Sequence, residues 1–247
     1  MPDLLNECRL VSHIYEYQEV TSTMDVAESI IKDKGIDSNF VVVAETQTKG
    51  RGRKGNHWDS NRGGLWLTLG LFNYSFAPSL MLYTGLMMRR TLFHLLNIDE
   101  IFIKWPNDIL IGDKKCCGII ANQNSLARYH LIGVGLNTNN DVPNINENYK
   151  AISLAEIIGK PISNKQVLKT FLDFFFSSIG IFQTDSLGPF IDEFNNFHLL
   201  NNKFIEIENK ISYKGQCIGI QEDGGLVLKD ASNNEIVVYS GTIKSFQ

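Results

Sequence analysis

Apolar residues along this chain follow two rhythms. Alternation and short β-branched runs at residues 10–18 (LVSHIYEYQ), 40–46 (FVVVAET), 64–72 (GLWLTLGLF), 101–105 (IFIKW) and 129–137 (YHLIGVGLN) predict strands. Residues 21–35 (TSTMDVAESIIKDKG) predict a helix, with Thr21, Ser22 or Thr23 to cap its start and Gly35 to close its end. A long helix is expected over 78–97, with Pro78 in its first turn. Further helices are expected over 151–159, 164–183 and 188–197, with phenylalanines 171, 174, 175 and 176 as core. Residues 109–111 and 114–123 read as two arms of a hairpin turning at Gly112-Asp113. After Lys203 the rhythm becomes that of short strands separated by glycine and asparagine turns, which predicts a small barrel. The fold class is therefore α+β. A mixed sheet with flanking helices occupies residues 1–200, and a small β module occupies 201–247. Residues 138–150 read as an Asn- and Pro-rich loop, and the polar stretch 47–64 lacks any apolar period; a loop that long in a compact domain is usually functional or disordered.

Composition narrows the class of protein. A hydrophobic fraction of 43% and a charged fraction of 20% suit an ordinary soluble domain, and 247 residues can bury a core without staples. The net charge of -4 speaks against a general nucleic-acid binder, so any work on anions must be done locally. Four cysteines, Cys8, Cys116, Cys117 and Cys217, form no C-x-x-C pair and read as reduced thiols. The histidines lie at no metal spacing. No apolar run is long enough for a membrane span, and the first ten residues lack a signal peptide's pattern, so a cytoplasmic protein is expected.

Two stretches carry candidate chemistry. The first, GRGRKG at 50–55, matches G-x-G-x-x-G, but a dinucleotide site needs a helix after the glycines and here a strand follows. The companion motifs of a protein kinase and of a P-loop are missing. A nucleic-acid arm built on Lys49, Arg51, Arg53 and Lys54 stays open. The other reading is a cationic strap whose glycines let backbone amides approach a ligand while its arginines clamp phosphate or carboxylate.

The second is KWPNDILIGDKKCCGI at 104–119. With a two-residue turn at Gly112-Asp113, Ile111 pairs with Lys114 and Leu110 with Lys115, which puts Asp108 and Lys115 on one face. As diagonal neighbours about 7–8 Å apart they are expected to share a ligand rather than bond each other. The carboxylate suits Mg²⁺ and the ammonium suits a reacting carboxylate or α-phosphate. An ordinary solvated surface turn is the rival reading.

Taken together, TST (21–23), AETQTKGRGRKGNHW (44–58), GGLWLTL (63–69), KWPNDIL (104–110), KKCCGII (114–120) and GVGLNTN (133–139) resemble the biotin–protein ligase family over nearly the whole chain. That resemblance implies a class II synthetase-like biotin–lipoate ligase core and an SH3-like C-terminal barrel. It implies activation of biotin by ATP with Mg²⁺ and transfer to a lysine of a biotin carboxyl carrier protein or domain. Ser22, Thr23 and Gln47 would hold the ureido ring, with Gly50, Arg51, Gly52 and Arg53 folded over the biotin carboxylate and adenylate. Lys115 would touch carboxylate and α-phosphate, with Arg51 and Arg53 assisting. Trp58 would pack on adenine, Asn107 and Asp108 would organise phosphate and Mg²⁺, Gly118 would leave room for the ligand, and Asn137 would sit near the nucleotide. Met24 departs from the asparagine common after Ser-Thr, and Ala121-Asn122 stands where an acidic residue is common. Only about ten residues precede Val11, too few for a helix-turn-helix, so no DNA role is expected; a homodimer is compatible with the family. A lipoate–protein ligase, which shares the core, is the alternative enzyme. A basic-loop binding module without catalysis is the alternative outside enzymes.

Overall fold

The computed structural model describes residues 11–75, 77–123, 129–142, 150–209 and 211–246. Cys8 and most of the 138–150 stretch fall outside that set. Chain order gives β1 (His13–Val20), α1 (Thr23–Lys34), β2 (Phe40–Gln47), β3 (Leu65–Phe72), α2 (Leu80–Leu96), β4 (Ile101–Lys104), β5 (Asp108–Ile111), β6 (Lys114–Gln123) and β7 (Tyr129–Leu136). There follow α3 (Leu154–Ile158), α4 (Asn164–Asp185), α5 (Ile191–Asn196), β8 (Phe204–Glu208), β9 (Ser212–Ile220), β10 (Leu226–Lys229), β11 (Glu235–Val238) and β12 (Thr242–Phe246). Seven strands form one mixed sheet in the order β1-β2-β3-β7-β6-β5-β4, with only the β1–β2 pair parallel. The last five form a separate antiparallel sheet, β11-β10-β9-β8-β12.

The large sheet is covered on both faces, which is why its central strands read as continuous apolar runs. Phe40 and Val42 turn to α1, where they meet Met24, Ala27 and Ile30. Val41 points the other way, into the core that α2 and α4 build with Tyr83, Phe171, Phe175 and Phe182. Tyr83 donates to the Phe175 carbonyl at 2.6 Å, and burial pushes its hydroxyl up to about 12. Of the four phenylalanines expected in the core, Phe174 is only partly buried and packs at its edge.

Local signals explain most boundaries. Ser22 is extended and its side chain accepts from the Met24 N–H, while Gly35 closes α1 in the left-handed region with φ 58°. The hairpin turns at Gly112-Asp113 with Ile111 opposite Lys114 and Leu110 opposite Lys115, as expected. Two helix starts differ from expectation. Ser79 holds the N-cap position of α2 without a side-chain cap bond, so Pro78 stands outside the first turn. Residues 150–152 are drawn alongside β6, where the Lys115 N–H donates to Lys150 O at 2.9 Å and Ile152 N–H to Lys115 O at 3.0 Å; α3 therefore starts only after Ser153.

The two sheets are joined at the β4 end. The Leu199 N–H donates to Ile103 O at 2.9 Å, and Trp105 Nε1 donates to Gly224 O at 3.1 Å. Lys104 Nζ lies 5.1 Å from the Phe246 ring centroid. No helix among the described residues is long and apolar enough to cross a membrane.

Candidate active site between the two sheets

A cavity of about 550 Å³ opens where α1, the middle of the large sheet and β12 converge. Its floor is a pair of glycines facing each other across β6 and β7. Gly118 and Gly135 are register partners, and Asp108 on β5 is the next residue in the same row. A Cβ on Gly118 would stand 2.7 Å from Trp58 Cζ3, and one on Gly135 would stand 2.5 Å from Trp58 Nε1. The indole thus lies flat on bare backbone. Its N–H is buried with no acceptor among the described residues.

Trp58 reaches this floor from the 47–64 stretch, which is not a featureless loop. It folds as a narrow β-ribbon. Gln47 bridges Ser60 and Arg51 bridges His57; Trp58 N–H donates to Gly50 O and Gly52 N–H to Asn56 O. At its tip, Arg53–Gly55 make one 3-10 turn with Lys54 and Gly55 at positive φ. Gly50 is required by close approach, because a Cβ there would stand 2.2 Å from Trp58 O. No apolar period marks the ribbon, since ladder hydrogen bonds and glycine contacts build it rather than side-chain burial. Three side chains fix it over the cavity: Arg51 pairs with Asp25 of α1, Arg53 Nη1 donates to Asn107 Oδ1 at 3.1 Å, and Lys54 Nζ donates to Thr242 Oγ1 at 3.0 Å.

The start of α1 supplies polar groups. Ser22 and Thr23 are buried at the helix N-terminus, where the macrodipole adds partial positive charge. Gln47 Oε1 accepts from Thr23 N–H at 2.8 Å and from Thr23 Oγ1 at 3.2 Å. Beside them Met24, Ile120 and Gly133 make an apolar wall; Met24 Sδ would lie 3.1 Å from a Cβ on Gly133.

Cationic groups gather around the β5–β6 hairpin. Here one expectation is corrected: Lys115 Nζ and Asp108 Oδ1 form an ion pair at 2.6 Å, instead of standing apart around a shared ligand. A register shift lies between Ile109 and Leu110. It sets Asp108 opposite Gly118. Lys115 Nζ also lies 4.9 Å from the Trp58 ring centroid. Burial lowers the Lys104 ammonium from its ordinary value, and Lys115 nearby adds to that, while Asp108 acts the other way. The neighbouring thiols are not nucleophiles: burial pushes Cys116 up to about 12 and Cys117 well above the ordinary range.

Ser22, Thr23, Gln47, Arg51, Gly52, Arg53, Trp58, Asn107, Asp108, Lys115, Gly118 and Asn137 all line this one cavity. Gly50 does not line it and serves the ribbon's packing. The expectation for Gly118 shifts too, because the space it leaves holds the Trp58 ring. Lys54, read in the sequence only as one of the strap's cations, lines the cavity too, and sequence reading missed Asn140, Gly135 and the segment Gly241–Ile243. Gly135 had a signal, the alternating glycines of GVG. Thr242 had none, because its approach to the ribbon spans 188 residues of chain.

Comparison with known proteins agrees with this geometry. Residues 16–139 match the sequence model of the biotin/lipoate A/B protein ligase family. The bifunctional ligase/repressor BirA of Bacillus subtilis is 28% identical over 245 residues, covering 94% of this chain and 74% of that protein. A biotin protein ligase from Aquifex aeolicus, solved in complex with biotin and ATP, superposes with a TM-score of 0.83 at 26% identity, over 95% of this chain and 98% of that one. The biotin protein ligase from Leishmania major in complex with biotinyl-5-AMP gives a TM-score of 0.65 at 25% identity, over 92% and 98% of the two chains. This chain belongs to the biotin/lipoate A/B protein ligase family.

Proposed function

We propose that the chain is an ATP-dependent biotin–protein ligase. It joins biotin to ATP as biotinyl-5′-AMP, then passes the biotinyl group to a lysine of a biotin carboxyl carrier domain. One observation carries this reading: a single cavity unites the Ser22–Thr23–Gln47 polar cluster with the Lys115, Arg53 and Asn107 cluster beneath the Trp58 ribbon.

The chemical obstacle is that two anions, a carboxylate and a triphosphate, must meet. Lys115 and Arg53 place fixed positive charge where that repulsion develops. Asp108 holds the Lys115 ammonium in position in the ligand-free protein; an incoming anion takes over that role, so the charge need not be reorganised. A carboxylate oxygen bonds the α-phosphorus as its bond to the bridging oxygen breaks, and pyrophosphate leaves. A carrier lysine amine then bonds the carbonyl carbon; the bond to the phosphate oxygen breaks, AMP departs, and the amine gives its proton to solvent. No protein nucleophile is needed, in keeping with the unreactive thiols. Holding the reactants aligned contributes further, up to about 7–11 kcal/mol in well-oriented systems.

Trp58 is set to change partner. A buried indole N–H without an acceptor is costly, so the ring readily yields the glycine floor and stacks on the adenine instead. Asn137 is placed to serve the nucleotide. No cluster of three or more metal-ligating side chains exists among the described residues. A Mg²⁺ carried by the nucleotide needs only one or two protein carboxylates, and Asp108 fits as one of them. When bound there, it would supply further neutralisation of phosphate charge. On this reading residues 1–200 form the catalytic unit, residues 201–247 form the SH3-like unit, and the enzyme works in the cytoplasm.

The test is to incubate the protein with biotin, labelled ATP and Mg²⁺ and look for biotinyl-AMP and biotin-dependent pyrophosphate exchange. Lipoate in place of biotin is the control. Exchange driven by lipoate and not by biotin would overturn the assignment, as would no exchange with either.

A further inference from the structure

Ser60 stands outside the cavity lining, yet it is the link between the polar cluster and the ribbon. It is buried, at 4% exposure. Its Oγ accepts from Gln47 Nε2 at 2.8 Å and donates to Trp58 O at 3.1 Å. Gln47 in turn accepts from Thr23 Oγ1, which accepts from Thr68 Oγ1 at 2.8 Å. Every donor in this row points the same way: Thr68 to Thr23, Thr23 to Gln47, Gln47 to Ser60, Ser60 to the Trp58 carbonyl. Such aligned chains reinforce each member.

The row settles which way the Gln47 amide faces. A serine hydroxyl has one proton, and here the Trp58 carbonyl takes it, so towards Gln47 Ser60 can only accept. The amide nitrogen must therefore face Ser60. At the other end the Thr23 backbone N–H can only donate, so the amide oxygen must face Thr23. Both ends impose one orientation. One hydrogen on Gln47 Nε2 is then left for a ligand, and a ligand carbonyl is the group that takes it.

We propose that Ser60 is a positioning residue. It fixes Gln47 as a donor towards the carbonyl of the bound vitamin and ties that contact to the base of the ribbon that carries Trp58. This rests on the biotin ligase reading and adds to it a coupling between vitamin binding and closure of the ribbon. With Ser60→Ala, Gln47 Nε2 loses its acceptor and Trp58 O its side-chain donor, so the amide is held at its Thr23 end alone and the ribbon loses this tether.

The experiment measures biotin binding by calorimetry, release of biotinyl-AMP and the KM for ATP, in wild type, Ser60→Ala, Ser60→Thr, Gln47→Ala and the Gln47→Ala/Ser60→Ala double variant. Loss of one such hydrogen bond predicts about tenfold weaker biotin binding and faster intermediate release in Ser60→Ala. The KM for ATP should stay within about twofold, and Ser60→Thr, which keeps the hydroxyl, should restore both losses. In the Gln47→Ala background, removing the Ser60 hydroxyl should cost no further biotin affinity. Unchanged biotin affinity in Ser60→Ala, or additive losses in the double variant, overturns the positioning role and leaves the ligase reading intact. A wild type that binds no biotin overturns the ligase reading itself.

Discussion

Lys54 and Thr242 lie 188 positions apart in sequence, and the ammonium of one donates to the hydroxyl of the other at 3.0 Å. The contact ties the tip of the ribbon to the first residue of β12, so the second sheet forms part of the cavity wall. An exposed hydrogen bond of this kind contributes little to stability, at the low end of about 0.5–1.5 kcal/mol. Its effect should appear in closure. Thr242→Val is expected to leave the melting temperature within about 2 °C and to speed biotinyl-AMP release about two- to fivefold. A release rate equal to wild type, followed by stopped-flow fluorescence, would show that the tip is held by other means.

Gly118 does not occupy the left-handed region, so alanine there is free of backbone strain. The obstacle is steric: its methyl would stand 2.7 Å from Trp58 Cζ3. Gly118→Ala should lift the indole off the floor. Trp66 and Trp105 are deeply buried, so a red shift of emission can be assigned to Trp58. Because the ring leaves this floor to stack on adenine, ATP affinity in the presence of biotin should not fall with that shift. An unshifted spectrum would mean that the floor widens to take the methyl.

These two positions also mark how far sequence reading goes. Caps and turns were legible because each is decided within a few residues: Ser22 and Gly35 bound α1, and Gly112-Asp113 fixed the hairpin register. The Asp108–Lys115 ion pair was not legible, because a register shift two residues beyond the turn moves Asp108 opposite Gly118 and no local pattern announces it. The ribbon was hidden for another reason. Half of its contacts are backbone to backbone, and a glycine's value there lies in what it approaches, as Gly50 approaches Trp58 O. Motif order located nearly every cavity residue on the large sheet, whereas β12 enters only through tertiary packing.

His198 gives a pH dependence whose sign is fixed. It is buried next to Phe194, neither ring nitrogen has a partner among the described residues, and burial lowers its pKa from 6.5 to about 3. The folded protein holds it neutral, while the unfolded chain takes up a proton below about pH 6.5. Stability from this site is therefore whole above pH 6.5 and falls as pH drops towards 3. The slope is at most about 1.4 kcal/mol per pH unit. Urea unfolding at pH 7.5, 6 and 5 should show wild type losing stability faster than His198→Leu on acidification. Parallel profiles would mean that water reaches the ring.

Lys115 and Asp108 combine a structural and a catalytic role, and the two can be separated. Lys115→Ala removes a charge near the reacting phosphorus, and loss of one such electrostatic contact slows chemistry about 10²–10³-fold. It also leaves Asp108, only 7% exposed, without its 2.6 Å partner, so stability should drop as well. Adding Asp108→Asn to Lys115→Ala removes the buried carboxylate that has lost this ion pair. The double variant should therefore regain most of the lost melting temperature while single-turnover formation of biotinyl-AMP stays slow. Asp108→Asn alone should keep Lys115 in the site but leave it less well held, so its rate should fall less than that of Lys115→Ala. If rate and stability recover together in the double variant, the slow chemistry came from a distorted fold and Lys115 has no direct part in the reaction.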